Sequence, residues 1–512
     1  MANKKTTGAS KKILVSARDW QEVHPLGLKC KSDGYYSILS TRLANMIREM
    51  IGDGYDIHSD DIKACAIELA AYLEDKLTGL NMWNAFIALY QERFGRRFPF
   101  YDDIAEDDML SDEPNLPDVR FLLWRGINRA NPDTILNPLN AALVGMTGEL
   151  YGVLLEEYEH APESPELYDT IFRVDFNDTL LARGLCGFMV TRGYLTACDD
   201  VMDPFQQIYD LVSSAFGDDM PEHAKSYAIE TYFYVGIKVG PLAVPPYEWI
   251  AKMMELSADA GIRAIAGRFK DMAAIPYLPF GIVSVSDEYF EVENIAGERL
   301  TVSYDTLWDD SRKDVIAGRG MIASLLKYDG MWHINGLSSF TDKAEDFTPM
   351  TKEYSDRRQS QEQARKVQLD HNGGSPIGVT KDWKELETRF EFDKATDKTE
   401  GKVGEDVKKG TDLLYFINDD SSMSILPDGA KAVALPANLY YDPAEAANFA
   451  ALLIVGHETT EDMRRYLLAH GLLPDARLKG PQPDPEAKAW FAANAPFLAA
   501  LTHTDTVSMN LP

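Results

Sequence analysis

The sequence predicts a mainly α chain, α+β overall. Three observations predict it: a helical apolar period from about residue 35 to 275, strict alternation over about 281–340, and capped helices again after a charged stretch. The expected layout is a large multi-helix N-terminal domain over 1–275, a small antiparallel β barrel or sheet over 276–345, a charged helix and linker over 346–410, and a C-terminal hairpin plus helices over 411–512. At 512 residues the chain is too long for one ordinary core, and the length prior is about three domains.

The helical region opens with "YYSILSTRLANMIREM", where Leu39, Leu43, Met46, Ile47 and Met50 fall on one face. Ser164-Pro165 and Pro246 mark helix starts, with a capping side chain or a proline already near helical φ where a missing N–H costs nothing. Val283 and Val285, Phe290 and Val292, and Leu300, Val302 and Tyr304 then alternate as strand faces. The Asp329-Gly330 pair suits a two-residue hairpin turn with positive φ. "KEYSDRRQSQEQARKVQLDH" is polar on every face and reads as a bridging helix. The segment "DKATDKTEGKVGEDVKKG" is nearly free of large apolar residues and reads as a linker. The tail begins with the candidate hairpin "DLLYFINDDSSMSIL", followed by a helix that Asp442 and Pro443 start.

Hydrophobic residues at 45% and charged residues at 26% argue against general disorder. The 81 acidic and 51 basic side chains leave a net charge of -30, which opposes direct binding to nucleic acid or anionic membranes. Acids concentrate in residues 102–118, "DDIAEDDMLSDEPNLPD", and again over 130–172, and the expectation is solvated surface that could dock a basic partner. Cys30, Cys65, Cys186 and Cys198 form no C-x-x-C pair and have no His at zinc-ligand spacing beside them, so they read as reduced core residues. The first residues, "MANKKTTGASKKILV", lack an apolar h-region, and no run approaches the ~18 apolar residues of a membrane span. A cytoplasmic setting is expected.

Adjacent carboxylates Glu74 and Asp75 are the candidate catalytic residues. Ile62, Ala66, Leu69, Leu73 and Leu77 define the apolar face of their helix, and both acids lie more than about 100° from its centre, which predicts that they face water. Glu74 shares its side with Ile67, Ala70 and Ala71. A second helix closing there would leave Glu74 needing a partner such as Arg42, Arg120 or Arg125. His457 with Glu461 in "GHETTEDMRRYLLAH" is the candidate metal pair. The zinc-protease pattern H-E-x-x-H fails there, because Glu461 stands where its second His belongs. No phosphate loop or nucleophile elbow occurs, so no cofactor is expected. Tyr304, Trp308 and Trp332 are the candidate partner-binding residues, since small barrels use such rings as stacking surfaces, while His333 is expected on the opposite, solvent side of its strand.

The stretches "ARDWQEVHP", "SDGYYSILSTRLANMI" and "LAAYLEDKLTGLNMWNAFIALY", with "LLYFINDDSSMSIL" and "NLYYDPAEAA" near the end, resemble a bacterial family of uncharacterised proteins, a domain of unknown function of Bacteroidetes type. The resemblance covers most of the chain and implies a bacterial cytoplasmic origin. It implies no activity. The leading expectation is a non-enzymatic protein-interaction or regulatory protein whose partner is another protein. The alternatives are a hydrolase using Glu74 or Asp75 in an inter-helix cleft, and an acidic nucleic-acid mimic.

Overall fold

The computed structural model describes residues 12–51, 57–102, 104–105, 109–131, 135–198, 205–206, 208–209, 230, 233–307, 309–391, 404–456, 459–474, 485–502 and 506–507. Eight helices lead the chain: α1 (Ala17–Trp20), α2 (Asp33–Ile51), α3 (Ser59–Thr78), α4 (Met82–Phe94), α5 (Leu116–Arg129), α6 (Ala141–Tyr158), α7 (Pro165–Phe172) and α8 (Thr179–Thr191). Leu39, Leu43 and Ile47 of α2 are buried as their spacing predicts. Helix α3 departs from a one-sided pattern: every residue from Cys65 to Asp75 is buried, because α2, α4, α5, α6 and α7 all pack against it. At the crossing with α5, a Cβ on Gly126 would lie 2.8 Å from the Cys65 sulfur, so glycine permits this approach.

An aromatic cluster fills the space beside α3. Phe86, Phe98, Phe100 and Phe121 pack ring against ring, and Phe497 joins them from the C-terminal helix Pro485–Thr502, 5.2 Å from Tyr90. Trp490 of that helix meets Trp124 at 5.9 Å. The end of the chain thus completes the core begun by its first third. Strand β1 (Ile237–Lys238) likewise pairs antiparallel with the strand Thr506–Val507.

The β module is a closed barrel of five strands, β2 (Ala273–Val285), β3 (Tyr289–Asn294), β4 (Arg299–Ser303), β5 (Gly320–Tyr328) and β6 (Met331–Thr341), in the order β2-β3-β4-β6-β5. All neighbours are antiparallel except β4 and β6, which pair parallel at Val302–Trp332. That is the connectivity of the OB-fold, a five-stranded Greek-key barrel. Asp329 and Gly330 have φ of 51° and 78° and form the expected two-residue turn. The buried residues of β2 before its bulge include Phe280 and Ile282; the bulge between Ile282 and Ser284 shifts the register by one, so that Val285, exposed at the strand end, stands opposite Phe290. His333, expected in solvent, is buried, with Nε2 3.3 Å from the Tyr328 carbonyl, and desolvation lowers its pKa.

The polar helix Thr348–His371 leads to a three-stranded sheet of β7 (Ile377–Asp382), β8 (Thr411–Ile417) and β9 (Met423–Leu426). The β8–β9 hairpin is as expected. Strand β7 lies where a linker was expected and pairs along β8. Residues 392–403 of that linker lie outside the described residues. Asp442 accepts from the Ala444 N–H at 2.9 Å and starts the helix Pro443–Val455.

Substituting Gly126→Ala forces α3 and α5 apart and is expected to cost about 1–3 kcal/mol. Cys65→Ala in the same chain should restore part of the loss. Denaturant midpoints check this, and an unchanged midpoint for Gly126→Ala would contradict the close crossing.

Candidate functional site

Glu74 and Asp75 do not face water: they are 1% and 2% exposed. The expectation failed because one apolar face implies one packing partner, whereas α3 has neighbours on every side. The two carboxylates leave the helix toward different partners, and none of the arginines proposed for Glu74 is its ion-pair partner. His24 Nε2 donates to Glu74 Oε2 at 2.7 Å, and the Ser164 hydroxyl donates to Glu74 Oε1. Ser164 starts α7, as its Ser-Pro sequence predicts, but its hydroxyl is drawn to Glu74 and not to the helix it precedes. The Ser32 hydroxyl lies 2.6 Å from that of Ser164 and completes the chain of bonds.

Asp75 has a local task. Gly79 closes α3 in the left-handed region at φ 70°, the chain reverses, and α4 begins at Met82. The Asp75 carboxylate accepts from the N–H groups of Met82 at 3.1 Å and Trp83 at 2.8 Å, and from the Tyr194 hydroxyl at 2.9 Å. A carboxylate on the turn of one helix thereby caps the positive end of the next. Asp118, placed by its surroundings in the acidic surface stretch, is fully buried. It accepts from the hydroxyls of Tyr72 at 2.6 Å and Tyr101 at 2.7 Å. Desolvation raises the pKa of both Asp75 and Asp118.

A cleft of about 790 Å³ opens beside this capped turn, lined by Lys76, Asn81, Asn84 and Gln91 and by apolar atoms of Trp83 and Ala88. Lys76 donates to the Asn84 carbonyl oxygen at 3.1 Å and to the Ser111 backbone oxygen at 2.8 Å, and burial lowers its pKa. Met109, Ser111 and Asp112, from the first acidic stretch, form the opposite wall. The Tyr158 hydroxyl, at the end of α6 in the second acidic stretch, reaches the Asp112 carbonyl at 3.2 Å, so the two stretches meet at the cleft rim.

Among the other candidates, Glu461 is the first residue of the helix Glu461–Ala469 and pairs with Lys238 at 2.7 Å, while His457 lies outside the described residues. Tyr304 packs on Phe290 at 5.1 Å beneath the Arg312 guanidinium, 4.2 Å from its ring, and Trp332 is half-buried against the barrel core. Trp308 lies outside the described residues. In a barrel of this connectivity the outer face of β3 and β4 and the adjoining loops take oligonucleotides. Here that surface carries Asp287, Glu288, Glu291 and Glu293, with Arg299 held by Glu293 at 3.5 Å.

Sequence reasoning missed a second polar cluster next to Glu74. His24, Cys30 and Asp33 are all buried and bring their ligand-type atoms within 4.8 Å of one another. Their spacing, H-x5-C-x2-D in "HPLGLKCKSD", was the available signal. Burial, then the charges of Glu74, Asp33 and Glu166, pushes the Cys30 thiol up to about 12.

Fold and site together define a mainly α protein that carries a five-stranded barrel, an open cleft and a buried carboxylate–histidine network. The chain belongs to a protein family of unknown function, DUF3843, whose model matches residues 14–295 and 334–504. The interruption falls within the barrel, across β4, β5 and the start of β6. No curated protein and no solved structure matches the chain.

Two outcomes follow from the network. Glu74→Ala strands His24 and Ser164 in the core and is expected to destabilise the chain by about 3–5 kcal/mol in a denaturant titration. Near-neutral behaviour would place Glu74 at the surface. For Asp118, a folded pKa above the ordinary 3.8 means that the folded chain holds the proton more tightly. Its contribution to stability is therefore complete below that value and is lost as pH rises through the folded pKa. Relative to Asp118→Asn, the wild type should lose stability with rising pH across this window. A difference constant with pH would contradict the raised pKa.

Proposed function

We propose that this chain is a non-enzymatic interaction protein of the bacterial cytoplasm, and that its cleft receives a segment of a basic protein partner. One observation carries the reading: the buried ionisable groups at the cleft are already engaged in holding the fold. Asp75 caps α4, and Lys76 is tied to Asn84 and Ser111. What the cleft offers a visitor is side-chain amides, apolar wall and an acidic rim. Amides match a peptide backbone, and the rim attracts cations at long range.

The hydrolase alternative needs Glu74 or Asp75 open to a substrate. Glu74 is closed on His24 and Ser164, which weighs against it. A nucleic-acid mimic needs free carboxylates in a row, whereas Arg42 takes Glu156 and Glu157 and Lys31 approaches Glu166. The acidic outer face of the barrel supports a protein partner over direct nucleic-acid contact. No described helix is long and apolar enough to cross a membrane.

The reading is tested with Ala88→Trp, which fills the cleft from the half-buried side of α4 without touching the capped turn. Tagged full-length protein is recovered from its native host after nuclease treatment, with both forms checked for the same thermal midpoint. The expected result is a basic protein held by the wild type in 1:1 ratio, released by salt and lost with Ala88→Trp. The same co-purifying proteins with both forms would overturn the proposal.

A further inference from the structure

We propose that His24, Cys30 and Asp33 form a binding site for one zinc ion, separate from the cleft and independent of its role. The reasoning starts from the imidazole. His24 Nε2 donates a hydrogen bond to Glu74, and Glu74 is further fixed by the Ser164 hydroxyl, so in a neutral ring held this way the lone pair sits on Nδ1. That atom lies 3.7 Å from Asp33 Oδ1. Both atoms are buried and neither has a hydrogen-bond partner. A lone pair facing a carboxylate oxygen in a low-dielectric interior is repulsive, and the arrangement asks for a cation between them.

The surroundings supply the remaining parts of a metal site. Cys30 brings its sulfur to the same point, within 4.8 Å of the other two ligand atoms. Bond lengths of about 2.0–2.3 Å around a tetrahedral ion put ligands roughly 3.3–3.6 Å apart, so closing the site takes side-chain movements under about 1 Å. The other oxygen of Asp33 is oriented by the Gln21 amide at 2.6 Å, and His24 is oriented by Glu74, the carboxylate–histidine pairing that typically backs a metal-bound imidazole. Buried Trp20 packs perpendicular to the His24 ring, with centroids 5.3 Å apart.

Zinc is the ion that accepts imidazole, thiolate and carboxylate together, and three protein ligands leave the fourth position for water. On binding, the Cys30 S–H bond breaks, its proton passes to solvent and a sulfur–zinc bond forms. His24 releases no proton. The two charges of the ion are met by the Cys30 thiolate and the Asp33 carboxylate, so the buried centre is neutral. The ion has a short way in, because the turn between His24 and Cys30 lies at the surface, with Leu26 85% exposed. The bound ion would fasten the start of α2 to the segment before it and, through Glu74 and Ser164, to α3 and α7.

The test uses the purified full-length chain, stripped with a chelator and titrated with zinc against a chromophoric competitor, then with cobalt as a spectroscopic substitute. The expected result is one zinc per chain, a rise in the thermal midpoint on binding, and a near-ultraviolet thiolate-to-cobalt charge-transfer band. Cys30→Ser, a one-atom change, should abolish that band and weaken zinc by more than about 100-fold, and His24→Gln should weaken zinc to a similar degree. Glu74→Gln should weaken zinc by about 10–100-fold while keeping the band, which marks a positioning residue. Circular dichroism establishes that each variant is folded. No 1:1 binding by the wild type would overturn the site, as would a cobalt complex without the band or zinc affinity unchanged in Cys30→Ser. If nitrogen chemical shifts of the zinc-free protein show His24 protonated on both nitrogens, an imidazolium clamp between Glu74 and Asp33 replaces the metal.

Discussion

Helix α3 must satisfy three carboxylates where there is almost no water, and the arrangement of the first third of the chain follows from that demand. Glu68 takes Arg125 and Arg129 across the α5 interface. Glu74 takes His24 and Ser164, and Asp75 takes the buried first N–H groups of α4 with the Tyr194 hydroxyl. The three carboxylates draw their partners from different elements, so each fixes where its own neighbours sit. Apolar contact alone would permit helices to slide and rotate at small cost, since such packing is non-directional. Hydrogen bonds to buried acids do not permit this, because a displaced neighbour leaves a charge unpaired at a cost of several kcal/mol.

The same demand explains which elements were legible in the sequence. Where an element has one partner or a purely local signal, pattern was enough: Leu39, Leu43 and Ile47 gave α2 its buried face, Asp329-Gly330 its hairpin, and Asp442-Pro443 a helix start. Where neighbours surround an element, periodicity misleads. The single apolar stripe of α3 points Glu74 and Asp75 toward water, whereas neighbours close on the helix from every side. Asp118 was grouped with solvated acids by its sequence neighbours, while its partners Tyr72 and Tyr101 lie 46 and 17 residues away. Along β2 a bulge changes which positions face inward, which alternation alone does not show. Strand β7 is short and sits in polar sequence, and only its pairing with β8 makes it a strand.

The acidity of the chain also divides into two populations with opposite consequences. Surface acids such as those rimming the cleft and covering the outer barrel face shape the long-range field and the choice of partner. Buried acids do not contribute to that field in the same way, because each is matched locally by hydroxyl, amide, imidazole or guanidinium groups. A net charge of -30 therefore describes the surface more than the core, and function classes can be weighed from it only at the surface.

His24, Cys30 and Asp33 could not be assembled from sequence alone, because the observation that unites them is a missing partner. The pattern H-x5-C-x2-D places three ligand types near the start of α2, but many chains carry such triplets on solvated turns. What distinguishes this one is Glu74, 50 residues from His24, which holds the far ring nitrogen and leaves the near one buried, facing Asp33, without a hydrogen-bond partner. The carboxylate offered by the sequence as a catalytic candidate thus finds its part as the group that orients a histidine. In that part its burial is a requirement: a solvated Glu74 would leave the imidazole free to rotate and exchange its proton, and the two facing acceptors would not persist.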